Sequence, residues 1–343
     1  MESRKEVLPL EHLSSPITDL STLQAGYVFR DGFVFTASDI ANVYDAVVIR
    51  NPSNAVNMYS LGISSHTLEE HISLIRQYNL KKAVIIADDI SFLSHCPSLS
   101  WIWVQPSWSA PDGFDFSPLY QLPNLSFLRC ESAYGKSEDK HGVLDYRKTA
   151  GLERVYINGE QGQLHFDELP SLCQLSASGV KHRKTVNEFF SSPVLKHLDL
   201  SFCGIESLDG IEKSTNLEEI NLEYNRKLHD ISALSRVADT LKVLHILNCP
   251  KITDFSCLCS LTQLDVLDLH GNNLLPNLGF LQKMKNLKLF SFSMNVSDGN
   301  LDLCKTIPCV YSERNRKHYN LKDTDLPKDM APIRAARNSP TLC

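Results

Sequence analysis

Leu195-Lys196-His197-Leu198-Asp199-Leu200-Ser201-Phe202-Cys203 places leucines at its first, fourth and sixth positions and a cysteine at its ninth. The same frame, L-x-x-L-x-L-x-x-N/C with only Ile or Phe replacing Leu, returns four times downstream. The copies are Leu217-Ile220-Leu222-Asn225, Leu241-Leu244-Ile246-Cys249, Leu264-Leu267-Leu269-Asn272 and Leu287-Phe290-Phe292-Asn295. Their first residues are separated by 22, 24, 23 and 23 positions. A fixed period near this length is the mark of a repeat architecture, in which one short unit cannot bury its apolar face alone and stacks on its neighbours. The alternating L-x-L at the centre reads as a short strand with its apolar side chains turned inward. The Asn or Cys that follows is suited to bonding the backbone groups of the turn from one coil to the next.

Upstream the frame loosens but persists. Leu172-Leu175-Ala177-Val180, Leu152-Val155-Ile157, Leu125-Leu128-Cys130, Leu99-Ile102-Val104, Leu80-Ala83-Ile85 and Val43-Ala46-Val48-Asn51 keep the apolar positions and lose or replace the Asn. Spacings widen to 26 and 27 around Leu99, Leu125 and Leu152, giving about eleven coils in all. The longest step, from Val43 to Leu80, holds a segment around Leu68, Ile72 and Ile75 with helical apolar spacing, for which Ser65 or Thr67 is the expected cap.

On these residues the chain resembles the leucine-rich-repeat family over 195–295. Ile205-x-x-Leu208-x-x-Ile211 and Leu228-x-x-Ile231-x-x-Leu234 are similar to the short-period, phosphatase-regulatory and internalin-like subclass. The fold this implies is an α/β leucine-rich-repeat solenoid, a horseshoe with a parallel concave sheet of about eleven strands, capped at both ends. Residues 1–42 are expected as the N-terminal cap, with Tyr27 to Phe35 folding as a hairpin about Asp31-Gly32. Residues 43–310 form the solenoid. Residues 311–343 are a C-terminal cap, with Tyr311 and Tyr319 over the last leucines, and a basic tail of loose structure from Asp323 onward. The segment Arg314-Asn315-Arg316-Lys317-His318-Tyr319-Asn320 resembles the closing segment of bacterial cytosolic repeat proteins.

The bulk numbers agree with a folded chain. Hydrophobic residues are 43% and charged residues 22% of the total, enough to bury a core. No signal peptide opens the sequence and no apolar run is long enough to span a membrane, so a cytoplasmic location is expected. The ten cysteines are then reduced thiols, and the sequons at Asn124 and Asn295 carry no sugar. A net charge of -6 argues against nucleic-acid binding, which needs a broad basic surface. From Tyr311 onward seven Lys/Arg face four acids.

The outward rows follow from strand periodicity. Position 3 shows Trp101, Phe127 and Arg154 in successive coils, and position 5 shows Trp103, Arg129 and Tyr156, with Trp108 close by. Trp, Tyr and Arg dominate interface energetics, which makes this the first candidate for partner binding. The competing possibility is that the insertion after Gln105, or the loop from Tyr134 to Asp145, folds over these rings. Further along, position 3 shows His197 and Glu219, position 5 Asp199, Asn221, His245 and Asp268, and position 7 Glu223 and His270. These form a polar, mildly acidic row suited to a basic segment.

Catalytic and metal chemistry find less support. His245 with Asp268 and Ser291 invites a hydrolase, but Ser291 should lie two strand spacings, about 9.6 Å, from His245. Cys257-Leu258-Cys259 has no second ligand pair, so buried structural thiols are expected there rather than a metal. His66 and His71 are five apart, off the spacing that puts two ligands on one helix face. No cofactor, catalytic residue or metal site is expected. The sequence therefore describes a protein, monomeric when free, that binds a protein partner without catalysis. If the bacterial resemblance holds, it implies an immunity role, covering a toxin or effector. A regulator of an enzyme such as a phosphatase, and a hydrolase or ligase using the repeat as a substrate platform, are the alternatives.

Overall fold

The computed structural model describes residues 27–30, 33–36, 46–52, 67–130, 142–149, 151–159 and 161–332. They divide into two compact units, Met1–Ile157 with Gln161–Leu164, and Asn158–Glu160 with His165–Cys343.

In the first unit, β1 (Tyr27–Arg30) and β2 (Phe33–Thr36) form the expected antiparallel hairpin, and β2 meets β3 (Ala46–Asn51) antiparallel at Phe33 and Val47. From β3 onward the pairing is parallel, through β4 (Lys82–Ala87), β5 (Trp101–Pro106), β6 (Phe127–Cys130) and β8 (Arg154–Asn158). The short β7 (Leu144–Asp145) and β9 (Gln163–Leu164) make a separate parallel pair. The long step between β3 and β4 is the helix α1, Leu68–Tyr78. Thr67 caps it: its hydroxyl accepts from Glu70 N at 3.3 Å while the Glu70 carboxylate accepts from Thr67 N at 2.7 Å. Such a cap contributes about 1 kcal/mol. Asn79, in the left-handed region at φ 50°, ends the helix.

The first coil corrects the sequence frame by one residue. Val47 pairs with Ala83 and Ile49 with Ile85, and Val47 and Ile49 are fully buried, so these residues, one beyond those the frame selects, are in register with the inward positions of β4. The reason is local. An unbroken apolar run, Ala46-Val47-Val48-Ile49, has no alternation to fix its phase, and a one-residue slip turns every side chain over. In β4 Val84 and Ile86 are buried as well as Ala83, Ile85 and Ala87.

The second unit holds β10 (Gln174–Ser178), β11 (His197–Ser201), β12 (Glu219–Glu223), β13 (Val243–Leu247), β14 (Val266–His270), the short β15 (Leu274–Leu275), β16 (Leu289–Phe292), the short β17 (Asn295–Val296) and β18 (Cys309–Ser312). Apart from the β15–β17 pair, they form one parallel run in chain order with register kept at every step. Every inward pair of the quoted repeats, from Leu198 and Leu200 to Phe290 and Phe292, is at most 1% exposed. Each such side chain contributes roughly 1.5–3 kcal/mol by leaving water. Single 3-10 turns such as Ile211–Lys213 and Ser256–Ser260 return the chain from strand to strand. Their shortness is what permits a period of 22 to 24 residues.

The polar ladder is present, with one shift. Asn225 accepts from Cys203 N at 2.8 Å and donates to Leu200 O at 2.7 Å, and the Cys203 and Cys249 thiols lie on Ala177 O and Leu222 O. In the next coil the buried amide is Asn273, which donates to Cys249 O and Ile252 O at 2.9 and 2.8 Å. Asn272, the residue the frame selects, is exposed and accepts from Arg314. Gly271, at φ 138°, gives the backbone the extra reach, with its N–H on Ser293 Oγ at 3.0 Å.

The C-terminal end also departs from expectation. The described part of the tail is ordered: Val310 N donates to Pro327 O, Asp329 N to Pro308 O, and Leu326 is buried. These residues occupy the backbone groups that β18 would otherwise leave unpaired at a sheet edge, which holds them in place despite their prolines and charges. Tyr319 docks inward, donating to Met294 O and accepting from Val296 N, whereas Tyr311 faces out at 39% exposure and covers nothing of the core. Pro340 and residues 333–343, residues 1–26, and Tyr134 to His141 lie outside the described residues.

Candidate functional site

Parallel strands about 4.8 Å apart turn equal template positions into columns. In the first unit the position-3 residues stack: Trp101 and Phe127 lie ring on ring, 4.4 Å between centroids and 6° from parallel, and the Arg154 guanidinium sits 5.5 Å from the Phe127 ring. At position 5 the Arg129 guanidinium is held between two rings, 4.2 Å from Trp103 and 4.1 Å from Tyr156. All six side chains are half-buried and alternate with fully buried Ile102, Leu128 and Ile157. The structure therefore brings together the whole aromatic group selected from sequence. Trp108, in the loop beyond β5, is 56% exposed. The neighbouring position-7 residues Ile86 and Gln105 are buried, which bounds the accessible face on that side. Stacked cation–π columns of this kind hold long side chains in one geometry, so little side-chain entropy is left to lose on binding.

In the second unit the polar rows resolve into pairs, two of them across adjacent strands and the third, His270–Glu313, reaching from β14 past β16 to the residue after β18. His197 meets Glu219 at 3.2 Å, His245 meets Asp268 at 2.5 Å, and His270 meets Glu313 at 3.2 Å. Asn221, Glu223, His245, Asp268 and His270 line a shallow depression of about 310 Å³. Burial pulls the His245 imidazole down, but the hydrogen bond and charge of Asp268, with the charges of Glu219 and Glu223, carry it above its ordinary value. Burial, with the nearby Glu223 and Glu219, raises the Asp199 carboxyl.

Sequence spacing missed one contact. Ser291 does not reach His245, but its hydroxyl is 3.0 Å from His270 Nε2, whose Nδ1 faces Glu313. Ser291 lies opposite Asp268 in the register, so His270 reaches it diagonally across the strand pair. Such diagonal contacts are within reach of long side chains, and a rule restricted to one template position overlooks them. A hydrolase would also need donors aimed at an oxyanion, and the nearby Gly271 N is already bound to Ser293 Oγ.

The thiols are free in the described residues. Burial pushes Cys203 and Cys304 up to about 12 and Cys249 to about 11, far from the thiolate form that metals and nucleophilic chemistry use. The Cys257-Leu258-Cys259 segment is corrected in one respect. Its 3-10 turn buries Leu258 but leaves Cys257 half-buried and Cys259 exposed. Among the described residues no group of three or more His, Cys, Asp or Glu is placed to hold a metal ion, and no helix is long and apolar enough to cross a membrane. His71 is fully buried on α1, and His66 lies outside the described residues.

Comparison with known proteins gives the same frame. A family model described as leucine rich repeats, two copies, matches residues 193–236. Leucine-rich repeat-containing protein 56 of Mus musculus is 29% identical over 180 residues, which are 51% of this chain but only 26% of that protein. Among solved structures, an internalin from Listeria monocytogenes superposes with a TM-score of 0.52 at 19% identity over 71% of each chain. A leucine-rich-repeat protein of Leptospira interrogans gives 0.41 at 15% identity, covering 62% of this chain and 60% of the other. The repeating strands with their inward leucines, the buried Asn and Cys ladder, the match at residues 193–236 and the likeness to the internalin together show that the chain has the leucine-rich-repeat fold.

Proposed function

We propose that this protein is a non-enzymatic binding module for another protein, engaged through the outward face of its parallel strands. One observation carries this reading most: the two columns Trp101–Phe127–Arg154 and Trp103–Arg129–Tyr156, half-exposed and held rigid by stacking. Aromatic and Arg anchors of this kind typically lose about 2 kcal/mol or more on truncation, roughly thirtyfold in affinity. The polar rows at Asp199, Glu219, Asn221, His245, Asp268 and His270 are then a secondary contact for basic groups. Covering a toxin or effector, or regulating an enzyme such as a phosphatase, are specific roles that a binding module of this kind fits, and a cytoplasmic setting agrees with its free thiols.

The test is affinity capture from the source cell followed by mass spectrometry, with Trp103→Ala and His245→Ala beside the natural sequence. Loss of the captured partner in Trp103→Ala with retention in His245→Ala is expected. The reverse pattern would move the site to the polar rows. Hydrolysis is a second reading, supported by the Ser291–His270–Glu313 contacts. A fluorophosphonate probe separates the two: no labelling of Ser291 is expected, and labelling lost in both Ser291→Ala and His270→Ala would establish a reactive serine.

A further inference from the structure

The turns that follow β8 and β10 to β14 each hold one residue in the left-handed region. Gly159, Gly179, Phe202, Tyr224, Asn248 and Gly271 fill this place in successive coils, with φ of 74°, 73°, 54°, 52°, 52° and 138°. Glycine and asparagine adopt such a backbone readily, whereas bulky residues rarely do. The turn's own hydrogen bond runs from backbone to backbone, Phe202 N to Glu223 O at 2.9 Å and Tyr224 N to Leu247 O at 2.8 Å. Nothing in it calls for an aromatic side chain. Residues held in sparsely populated conformations collect at ligand-binding sites, and here two aromatic residues are so held side by side.

Their rings stack face to face, 4.7 Å between centroids and 2° from parallel, and Phe202 is 45% exposed. Tyr224 has Asn248 as its neighbour in the next coil. The other face of Phe202 looks toward Gly179, which has no side chain. A Cβ placed on Gly179 would meet only Gly159 backbone atoms within 4 Å. The spacing of the two rings equals the spacing of the coils, so a third ring above Gly179 would continue the stack in register.

The border of this step is cationic. Lys181 lies against Phe202, its Nζ donating to Phe202 O. Gly204 N to Val180 O, Glu206 N to Lys184 O and His229 N to Glu206 O stitch the three turns together, which brings Lys184, Arg226 and Lys227 to the same edge. Two carboxylates stand among them: Glu206, paired to Lys184 at 2.7 Å, and Glu188, which accepts from Lys184 N at 2.8 Å. Lys181, Lys184, Arg226 and Lys227 are all exposed. This local excess of positive charge stands on a chain whose net charge is -6.

We infer that the Phe202–Tyr224 stack, with Lys181, Arg226 and Lys227 at its border, is a second docking site, which takes an acidic segment of a partner protein and stacks one of its aromatic side chains on Phe202 above Gly179. Charge complementarity selects the acidic segment and the open ring face selects the aromatic residue. A single-stranded nucleic acid offers the same two features, but its binding draws on a broad basic surface that an acidic chain lacks. The inference takes only the class of partner from the function proposed above. Its residues are distinct from the β5, β6 and β8 columns, so Trp103→Ala and Phe202→Gly report on the two sites separately.

The experiment titrates the full chain into labelled short peptides of Asp and Glu carrying Trp or Ala at the centre, read by fluorescence anisotropy. The Trp peptide is expected to bind at least ~tenfold more tightly than the Ala peptide. Added salt weakens both, because exposed charges are screened. Phe202→Gly removes the preference for Trp while the melting temperature holds, since glycine fills this place in adjacent coils; Phe202→Tyr keeps the preference. Arg226→Ser with Lys227→Ser weakens both peptides alike. Equal binding of the two peptides, or an unchanged preference in Phe202→Gly, overturns the inference. A marked fall in melting temperature for both Phe202→Gly and Phe202→Asn also overturns it, because the ring would then be structural. Tighter, Phe202-dependent binding of oligodeoxythymidine overturns the choice of a protein partner.

Discussion

The two units build the same strand by different means. In the second, every strand from β11 to β14 alternates strictly between buried and half-exposed residues, and buried Asn225, Asn273, Cys203 and Cys249 bond the backbone from coil to coil. In the first, β4 is buried on both faces, and the positions that carry Asn or Cys elsewhere are taken by Asp88 and Ser107, which bond each other while Ser109 donates to both Asp88 oxygens at 3.0 Å. A side chain that serves a neighbouring coil's backbone holds the period to 22–24 residues, because the coils must stay in step for it to reach. Where side chains bond one another instead, the period is not held: it is 19 residues from Leu80 to Leu99 and 26 from Leu99 to Leu125, and the outward positions carry Trp, Phe, Tyr and Arg in place of His, Asp and Glu.

The largest effect expected from this contrast is in the core. Leu267→Asp would place a carboxylate at a position that is 0% exposed, at a cost of at least several kcal/mol, comparable with the stability of a whole domain. Thermal unfolding followed by circular dichroism should show the cooperative transition of the second unit lost, and an unchanged melt would mean that the register is wrong.

The ladder gives the next effect in size. Asn273→Ala leaves Cys249 O and Ile252 O without their buried donor and should cost about 1–3 kcal/mol, whereas Asn272→Ala, on the surface, should stay within about 0.5 kcal/mol. Chemical denaturation of the two variants measures the difference. Equal losses would restore Asn272 to the ladder and dissolve the distinction between structure and repeat frame.

The smallest effect concerns charge in the second unit. The His245 value is raised in the folded chain, so its pairing with Asp268 stabilises fully below the unfolded value of about 6.5 and is lost as pH rises through the folded value. Asp268→Asn should therefore lower stability by about 0.5–1 kcal/mol at mildly acidic pH and by less in alkaline buffer. A loss that grows toward alkaline pH would contradict this assignment. The Trp103–Arg129–Tyr156 column holds no histidine, and Trp103→Ala should show no such dependence.

The repeat frame, the inward residues from Leu172 to Phe292, the hairpin at Tyr27 to Thr36, the Thr67 cap and the six aromatic and Arg residues of the first unit were all legible in the sequence. Each is fixed by short-range pattern, since alternation and fixed spacing place a side chain without knowledge of its neighbours. Tertiary structure alone decided the phase of β3, where an apolar run carries no alternation, and the exchange of Asn272 for Asn273, which turns on the φ of Gly271. It also decided the diagonal contact of Ser291 with His270, the seating of Leu326 to Asp329 against β18, and the stacked pair Phe202 and Tyr224. These depend on which atoms of separate coils come within a few ångströms. A one-dimensional period specifies which residues share a column, but the distances and backbone angles between columns are set only when the coils pack.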